Sequence, residues 1–271
     1  MSFDPEAVRN FEHARWQRAA GVYGTTFASA TRPFIEPLLD AAHVGRATRL
    51  LDIACGPGFV ATAARLRGAN AYGVDFSTAM LEVARSREPA VRFDQGDAEA
   101  LPYADGEFDA VVSNFGIHHV PRPQLALREA HRVLRAGGHV AFSFWAEPSE
   151  NIAWKLVFDA VARHGDAAAS EAPPPGGGFR GAAQCADALR DAGFTDCTTR
   201  AVRATWLQPD AAALIGALRS GTARMAAMIE AQPPSALAAI LADIETNAAI
   251  YRGSSGLALP IAVVIAGGSK V

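Results

Sequence analysis

Between residues 48 and 145, short apolar runs alternate with stretches whose apolar residues recur at helical spacing. The runs are of strand length, and the stretches between them are long enough for helices of two or three turns. Such alternation predicts parallel strands with helices packed on the faces of one sheet, that is, an α/β fold. The predicted strands are Thr48–Ala54, Ala71–Val74, Arg92–Gln95, Phe108–Ser113 and His139–Trp145.

The chain on either side of this block adds helices and two strands. Pro5 to Leu39 has helical periodicity, so we expect residues 1–45 to form lid or packing helices. Residues 46–271 are expected to form one domain with a helical insertion at about 210–255. Further predicted elements are helices at Ile152–Arg163, Ala183–Ala192 and 210–251 (broken at Pro233–Pro234), strands at Thr199–Trp206 and Leu259–Ala266, and a loop at Pro173–Gly178.

Composition argues against several classes of protein. The formal net charge is −3 with acids and bases scattered, which gives no reason to expect nucleic acid or an anionic membrane as partner. The three cysteines lie far apart without CxxC spacing, as expected in a reducing compartment. The amino-terminal segment is polar, and the apolar run Leu257–Ala266 is about half the length of a membrane-spanning helix. We therefore expect a cytoplasmic protein.

The string LLDIACGPG at 50–58 predicts a buried strand that leads into a glycine turn and then a helix. Gly56 and Gly58 would let a ligand approach bare backbone at the carboxyl edge of the sheet, beside a helix amino terminus. The spacing Gly56-x-Gly58-x-x-Ala61 also satisfies the dinucleotide-binding pattern. This motif alone leaves the class of ligand open.

Two acids follow the next two strands. Asp75 lies 17 positions after Gly58, where a carboxylate can accept hydrogen bonds from both hydroxyls of a ribose. Asp97 follows the third strand and can accept a hydrogen bond from an adenine amino group. The fourth strand leads through Asn114 into Phe115 and a pair of histidines. Together the acids predict a cofactor that contains a nucleoside.

Residues 48–145 resemble the class I S-adenosylmethionine-dependent methyltransferases, within them the ubiquinone/menaquinone-biosynthesis-like group. The matching strings are LLDIACGPG, GVDFSTAML, GDAEALPYADGEFDAVVSNFGIHHV and ALREAHRVLRAGGHVAFSFW, in the family's order and spacing. The resemblance implies a Rossmann-like, seven-stranded, mostly parallel sheet with an antiparallel last strand, a helical cap, and S-adenosylmethionine as cofactor. Ala54 departs from the pattern, since the family more often has glycine there.

The resemblance also implies roles for individual residues. It assigns Asp52, Gly56 and Gly58 to the methionine end of the cofactor, Asp75 to the ribose and Met80 to the adenine face. Asp97 and Ala98 would lie at the adenine edge, and Asn114 beside the methionine portion. With Tyr23 and Phe76 added, the predicted cofactor residues are Tyr23, Asp52, Gly56, Gly58, Asp75, Phe76, Met80, Asp97, Ala98 and Asn114.

The implied reaction is displacement of the sulfonium methyl group by an O, N, S or C atom of a small-molecule acceptor. Positioning can supply most of the acceleration, so a general base is needed only if the acceptor atom carries a proton at the working pH. His118 and His119 are the candidate bases, with a structural role for the pair as the alternative. Phe115 and Trp145 are expected to contact the acceptor, although aromatic residues also fill protein cores.

Two other functions stay open. A nicotinamide-dependent oxidoreductase would fit the glycine turn, but the sequence has no Tyr-x-x-x-Lys. A methyltransferase-like protein could also bind the cofactor without turnover. No cluster of acids suggests a metal, so none is expected, and a homodimer is left open.

Overall fold

One mixed sheet forms the centre of the computed structural model, which describes residues 3–173, 179 and 181–271. Its strand order is β3-β2-β1-β4-β5-β8-β6, and the short β7 pairs with β8. Neighbours from β3 to β5 are parallel, whereas β8 runs antiparallel to both β5 and β6. The strands are β1 Arg49–Ile53, β2 Asn70–Asp75, β3 Arg92–Gln95, β4 Phe108–Asn114, β5 Leu134–Trp145, β6 Thr195–Gln208, β7 Arg252–Gly253 and β8 Gly256–Ser269.

This is the predicted Rossmann-like sheet with its antiparallel last long strand, and β7 adds a two-residue pairing at one end. The helices are α1 Pro5–Tyr23, α2 Ala28–Thr31, α3 Ile35–Ala41, α4 Phe59–Leu66, α5 Thr78–Arg87, α6 Pro123–Val133, α7 Ile152–His164, α8 Ala182–Asp191, α9 Ala211–Gly221, α10 Arg224–Glu230 and α11 Pro234–Ala248. Ser77 caps the start of α5, since its Oγ accepts a hydrogen bond from the Met80 N–H.

Apolar side chains bury both faces of the sheet. On one face, helices α3, α4, α7, α9 and α11 pack over the strands, and Leu38 and Leu39 of α3 are fully buried there. On the other face, α6 and α8 contribute Leu127 and Leu189. Helix α3 is thus part of the central core, whereas α1 lies against α5 and α9, outside the sheet.

Two helical boundaries differ from the sequence-based prediction. The segment predicted as helical from Pro5 to Leu39 is interrupted after Tyr23, where Gly24 and two β-branched threonines weaken the helix. The insertion is interrupted at Pro233–Pro234 as predicted and also at Thr222, whose hydroxyl accepts from the Ala226 N–H at the start of α10. Most of the predicted Pro173–Gly178 loop lies outside the described residues.

No single helix in the described part of the chain has the length and apolar character to cross a membrane. Helices α10 and α11, taken together through Tyr251, meet those criteria by length and composition only, as a pair bent by 119°.

The turn between β1 and α4 requires left-handed backbone conformations. Gly56 and Gly58 have φ of +51° and +78°, and Ala54 has φ of +53°. The last value explains why glycine is preferred at that position, because an L side chain there costs about 1 kcal/mol. Gly58 has a second constraint, since a Cβ there would lie 2.8 Å from the ring of Phe93.

Replacing Gly58 by alanine is therefore expected to cost more stability than the same change at Gly137. Gly137 has a similar φ of +75° but open space around its Cα, so it measures backbone strain alone. We expect Gly137→Ala to lower the free energy of unfolding by about 1 kcal/mol, and Gly58→Ala by a further ~1–3 kcal/mol from overpacking. Urea unfolding of both variants measures the difference. Equal losses would contradict the assigned contact with Phe93.

Candidate active site

A cavity of about 620 Å³ opens at the carboxyl ends of the parallel strands, between the sheet and helices α1, α7 and α10. In open α/β sheets this edge is where ligands bind. Gly58 does not line the cavity, and its Cα packs close to the ring of Phe93. The other predicted site residues do line it: Tyr23, Asp52, Gly56, Asp75, Phe76, Met80, Asp97, Ala98, Asn114, Phe115, His118, His119 and Trp145.

Asp75 at the end of β2 is held by backbone donors. Its Oδ2 accepts from the Gly56 N–H at 2.8 Å, and its Oδ1 accepts from the Ser77 N–H at 2.9 Å. The carboxylate is only 5% exposed. Burial raises the pKa of Asp75 to about 6, against the opposing effect of these N–H groups. Hydrogen-bond donors of a bound ligand would favour the ionised form of the Asp75 carboxylate.

Asp52, near the end of β1, is the least compensated acid of the cavity. It is 1% exposed, and neither carboxylate oxygen has a hydrogen-bond partner. Burial raises the pKa of Asp52 well above its ordinary value, the amide of Ala61 acts in the opposite direction, and the nearby Asp75 raises the pKa further. A buried carboxylate without a partner is unfavourable, so this site suits a ligand that brings a cationic donor.

At the far end of the cavity, Asp97 is ordered by contacts that the sequence did not predict. Its Oδ1 accepts from the Glu99 N–H at 2.9 Å, and its Oδ2 accepts from the Nε of Arg9 at 3.1 Å. Arg9 also donates to Glu99 at 2.9 Å. Helix α1 therefore makes direct contact with the acidic residues that follow β3. No local sequence signal marks Arg9, because its partners lie about ninety residues away along the chain.

Asn114, at the end of β4, is fixed on both sides. Its Oδ1 accepts from the Ser143 Oγ at 2.6 Å, and its Nδ2 donates to the Thr31 carbonyl at 3.3 Å. The next residue, Phe115, has φ of +60° and stacks on Trp145 with ring centroids 4.2 Å apart. This left-handed turn directs the chain from the strand end toward the histidines.

Aromatic side chains form the wall beside Phe115. Trp145 also contacts Trp154 of α7 at 4.2 Å, and Phe27 packs against both tryptophans. Tyr23 is bound to the Thr31 hydroxyl at 3.0 Å, and burial raises the pKa of Tyr23 to about 12. Trp154 and Phe27 were not among the predicted site residues, because helical spacing alone does not separate a cavity wall from a core.

The histidine pair differs in its surroundings. Burial, with His119 and Arg224 nearby, lowers the pKa of His118 well below its ordinary value, and its Nδ1 has no hydrogen-bond partner. The Nδ1 of His119 lies 3.0 Å from Oε2 of Glu12. Glu12 belongs to α1 and is fully buried, which the sequence did not indicate.

Glu12 has two further partners. Trp16 donates its indole N–H to Oε2 at 3.1 Å, and the Nε of Arg224 lies 2.8 Å from Oε1. Burial would raise the pKa of Glu12, but His119, Arg224 and the indole bond outweigh it and leave that pKa below its ordinary value. The carboxylate is therefore ionised near neutral pH, inside a cluster drawn from α1, α10 and the segment after β4.

The sheet order, the glycine turn and the acids at successive strand ends are those of a Rossmann-like methyltransferase fold. Residues 51–142 match a family model described as a methyltransferase domain. In this part the chain is similar to class I S-adenosylmethionine-dependent methyltransferases of the ubiquinone/menaquinone-biosynthesis-like group. The cofactor of this class is S-adenosylmethionine, and the unpartnered, buried Asp52 fits its cationic amino group.

Relatives of known name resemble part of this chain. A demethylmenaquinone methyltransferase from Renibacterium salmoninarum is 37% identical over 119 residues, which cover 44% of this chain and 50% of the relative. A malonyl-[acyl-carrier protein] O-methyltransferase from Erwinia pyrifoliae is 38% identical over 155 residues, which cover 56% of this chain and 54% of the relative. The chain thus spans about half the length of the curated relatives it matches.

The likeness in fold extends over most of the chain. A solved S-adenosylmethionine-dependent methyltransferase from Thermotoga maritima superposes with a TM-score of 0.57 and 20% identity, covering 96% of this chain and 100% of the other. At this level of identity the superposition shows the fold alone.

The raised pKa of Asp75 predicts that cofactor binding depends on pH. Ligand hydroxyls that donate to the carboxylate favour its charged form, so binding lowers this pKa. Affinity for S-adenosylhomocysteine should be greatest above pH 6 and should fall as pH drops through about 6. Calorimetry should show about tenfold weaker binding at roughly pH 5 than at roughly pH 7.5.

Asp75→Asn provides the matched control for this titration. The amide cannot ionise, so this variant should bind more weakly at neutral pH and lose the part of the pH dependence that Asp75 contributes, while the part contributed by Asp52 remains. Equal affinity of the parent protein at both pH values would contradict the assignment of Asp75 to the ligand.

Proposed function

We propose that this protein transfers a methyl group from S-adenosylmethionine to an O, N or C atom of a small molecule in the cytoplasm. The observation that carries the proposal is the row of acids along one cavity. Asp52 has unpartnered oxygens, Asp75 is held at the glycine turn, and Asp97 lies at the far end. A cofactor with a cationic amino acid at one end and a nucleoside at the other matches this sequence of groups.

The same row of acids argues against a nicotinamide-dependent oxidoreductase. Asp75 suits the ribose of either cofactor. A dinucleotide, however, would bring its anionic pyrophosphate to the turn beside the buried Asp52, where like charges repel. The two relatives described above bear methyltransferase names, which favours methyl transfer over hydride transfer.

When bound, S-adenosylmethionine supplies an electrophilic methyl group on a sulfonium. The chain's own contribution is to hold the acceptor in line with that group and to exclude water. Asn114, fixed by Ser143 and Thr31, is the residue that we assign to the methionine portion. The wall of Phe115, Trp145 and other aromatic side chains favours an apolar or aromatic acceptor.

His119 is the proposed base for an acceptor that carries a proton. Its Nδ1 contacts Glu12, which leaves Nε2 as the nitrogen that takes the proton from the acceptor atom. His118 is the weaker candidate, because its low pKa makes it a poor proton acceptor. If neither imidazole is needed, the acceleration comes from positioning the acceptor atom close to the methyl group.

Helices α1 and α10 close the proposed acceptor side of the cavity. Trp16 of α1 and Met225 and Met228 of α10 line it, and Arg15 and Glu230 join the two helices in an ion pair. Gln17 of α1 accepts from the Ala79 N–H at 2.8 Å, which ties α1 to α5. That these helices form a mobile cap remains a prediction.

Calorimetry with S-adenosylhomocysteine and NADH tests the cofactor. We expect binding of the first in the micromolar range or tighter and no measurable binding of NADH. The reverse preference would overturn the proposal in favour of an oxidoreductase.

Incubation with methyl-labelled S-adenosylmethionine and a panel of phenols, quinols and amines tests turnover. We expect label in at least one acceptor, and with that acceptor His119→Ala should lower kcat about a hundredfold with cofactor affinity little changed. His118→Ala is the matched control and should lower it less. Cofactor binding without label transfer to any compound, or to a metabolite extract, would favour the non-catalytic alternative.

A further inference from the structure

Glu12 is a buried charge that cofactor binding does not explain. It lies on α1, is fully buried, and contacts His119, Trp16 and Arg224 through its two oxygens. Enclosing a carboxylate is costly unless it is paired, and an apolar residue would suit a buried helix face better. Its three partners lie on α1, on α10 and in the segment after β4, so Glu12 joins these three parts of the chain.

The arrangement resembles a general base with its orienting group. A histidine that acts as a base needs one ring nitrogen free and the other held, and a carboxylate on the far nitrogen selects the required tautomer. The Nδ1 of His119 is 3.0 Å from Oε2 of Glu12. The two atoms are close, but they are not aligned as a hydrogen bond, since Nδ1 has no partner at hydrogen-bonding geometry. Poor alignment of this kind is common for catalytic pairs before the substrate is bound.

Arg224 balances the charge of this pair. Its guanidinium lies 2.8 Å from the other oxygen of Glu12 and also donates to the carbonyl of Pro173 at 2.7 Å. Because one cation already faces the carboxylate, His119 need not be protonated to neutralise it. The imidazole can therefore serve as a proton acceptor while it is held by a carboxylate.

We propose that Glu12 is the positioning residue of the reaction: its carboxylate holds His119 as the Nδ1–H tautomer, so that Nε2 faces the acceptor unprotonated. This inference rests on the proposed function, in which His119 is the base. Since Glu12 is carried by α1 and Arg224 by α10, the base is oriented only when both helices are packed over the cavity. The cap then contributes to the chemistry as well as to the shape of the pocket.

Nitrogen-15 NMR of histidine-labelled protein with saturating S-adenosylhomocysteine tests the tautomer without any acceptor. The His119 signal is assigned by its loss in His119→Gln. In the parent protein we expect Nδ1–H with a bare Nε2. In Glu12→Gln, which keeps the shape but loses the charge, the ratio of tautomers should move toward Nε2–H by roughly tenfold or more.

Arg15→Gln is the matched control, because it removes an ion pair between the same two helices without touching the cavity. It should leave the tautomer unchanged, and calorimetry should show that all three variants still bind S-adenosylhomocysteine. Should Glu12→Gln fail to fold, the parent spectrum still decides.

Three results would overturn the proposal: an Nε2–H or doubly protonated His119 in the parent, an unchanged tautomer in Glu12→Gln, or an equal shift in Arg15→Gln. These results differ from a failure of the proposed function, which the parent protein reports through calorimetry and label transfer.

Discussion

Buried carboxylates at the carboxyl edge of the sheet are the constraint on which the rest of the site depends. Asp52 and Asp75 end adjacent parallel strands and are 1% and 5% exposed. Such charges are unfavourable in a protein interior unless a partner compensates them. The chain supplies backbone hydrogen bonds to Asp75, whereas Asp52 has only the Ala61 amide nearby and no partner at hydrogen-bonding geometry. The missing compensation suits the cationic end of S-adenosylmethionine, so the proposed function gives the unfavourable burial of Asp52 and the affinity for the cofactor one origin.

The same principle explains the amino-terminal helix. Helix α1 contributes little to the apolar core of the sheet, yet it places Arg9 against Asp97 and Glu99, and Glu12 against His119. Its Gln17 accepts hydrogen bonds at the start of α5, whose first turn adjoins Asp75. Helix α1 is thus held by polar contacts with the cavity's own residues. Its packing and the order of the site depend on each other.

The sequence predicted much of the fold because the responsible signals are local. Strand-length apolar runs and the glycine turn each act within a few residues, and the structure has them where expected. The interruption of the first helix after Tyr23 was missed because helical periodicity of apolar residues does not register the weak helix formers Gly24, Thr25 and Thr26. Gly58 was assigned to the ligand by its motif, which stays a prediction, and the structure adds a packing constraint against Phe93 that the motif did not indicate.

The site residues that the sequence did not identify are those whose partners are distant along the chain. Arg9, Glu12 and Arg224 look like ordinary helix-surface charges, and only the tertiary structure brings the last two together. Trp154 has the spacing of a core residue, although it lines the cavity. Periodicity reports which face of a helix is apolar, but it does not report which buried polar residue meets which partner.

Asp52→Asn tests most directly whether the buried charge of Asp52 lowers the stability of the free protein and is needed for cofactor binding. If Asp52 is kept for the cofactor, the isosteric amide removes an uncompensated charge, so urea unfolding at about pH 8 should show an unliganded variant at least as stable as the parent. The same variant should lose affinity for S-adenosylhomocysteine by about tenfold or more, because a charge-assisted hydrogen bond is lost. A variant that is markedly less stable than the parent and still binds S-adenosylhomocysteine normally would contradict this account.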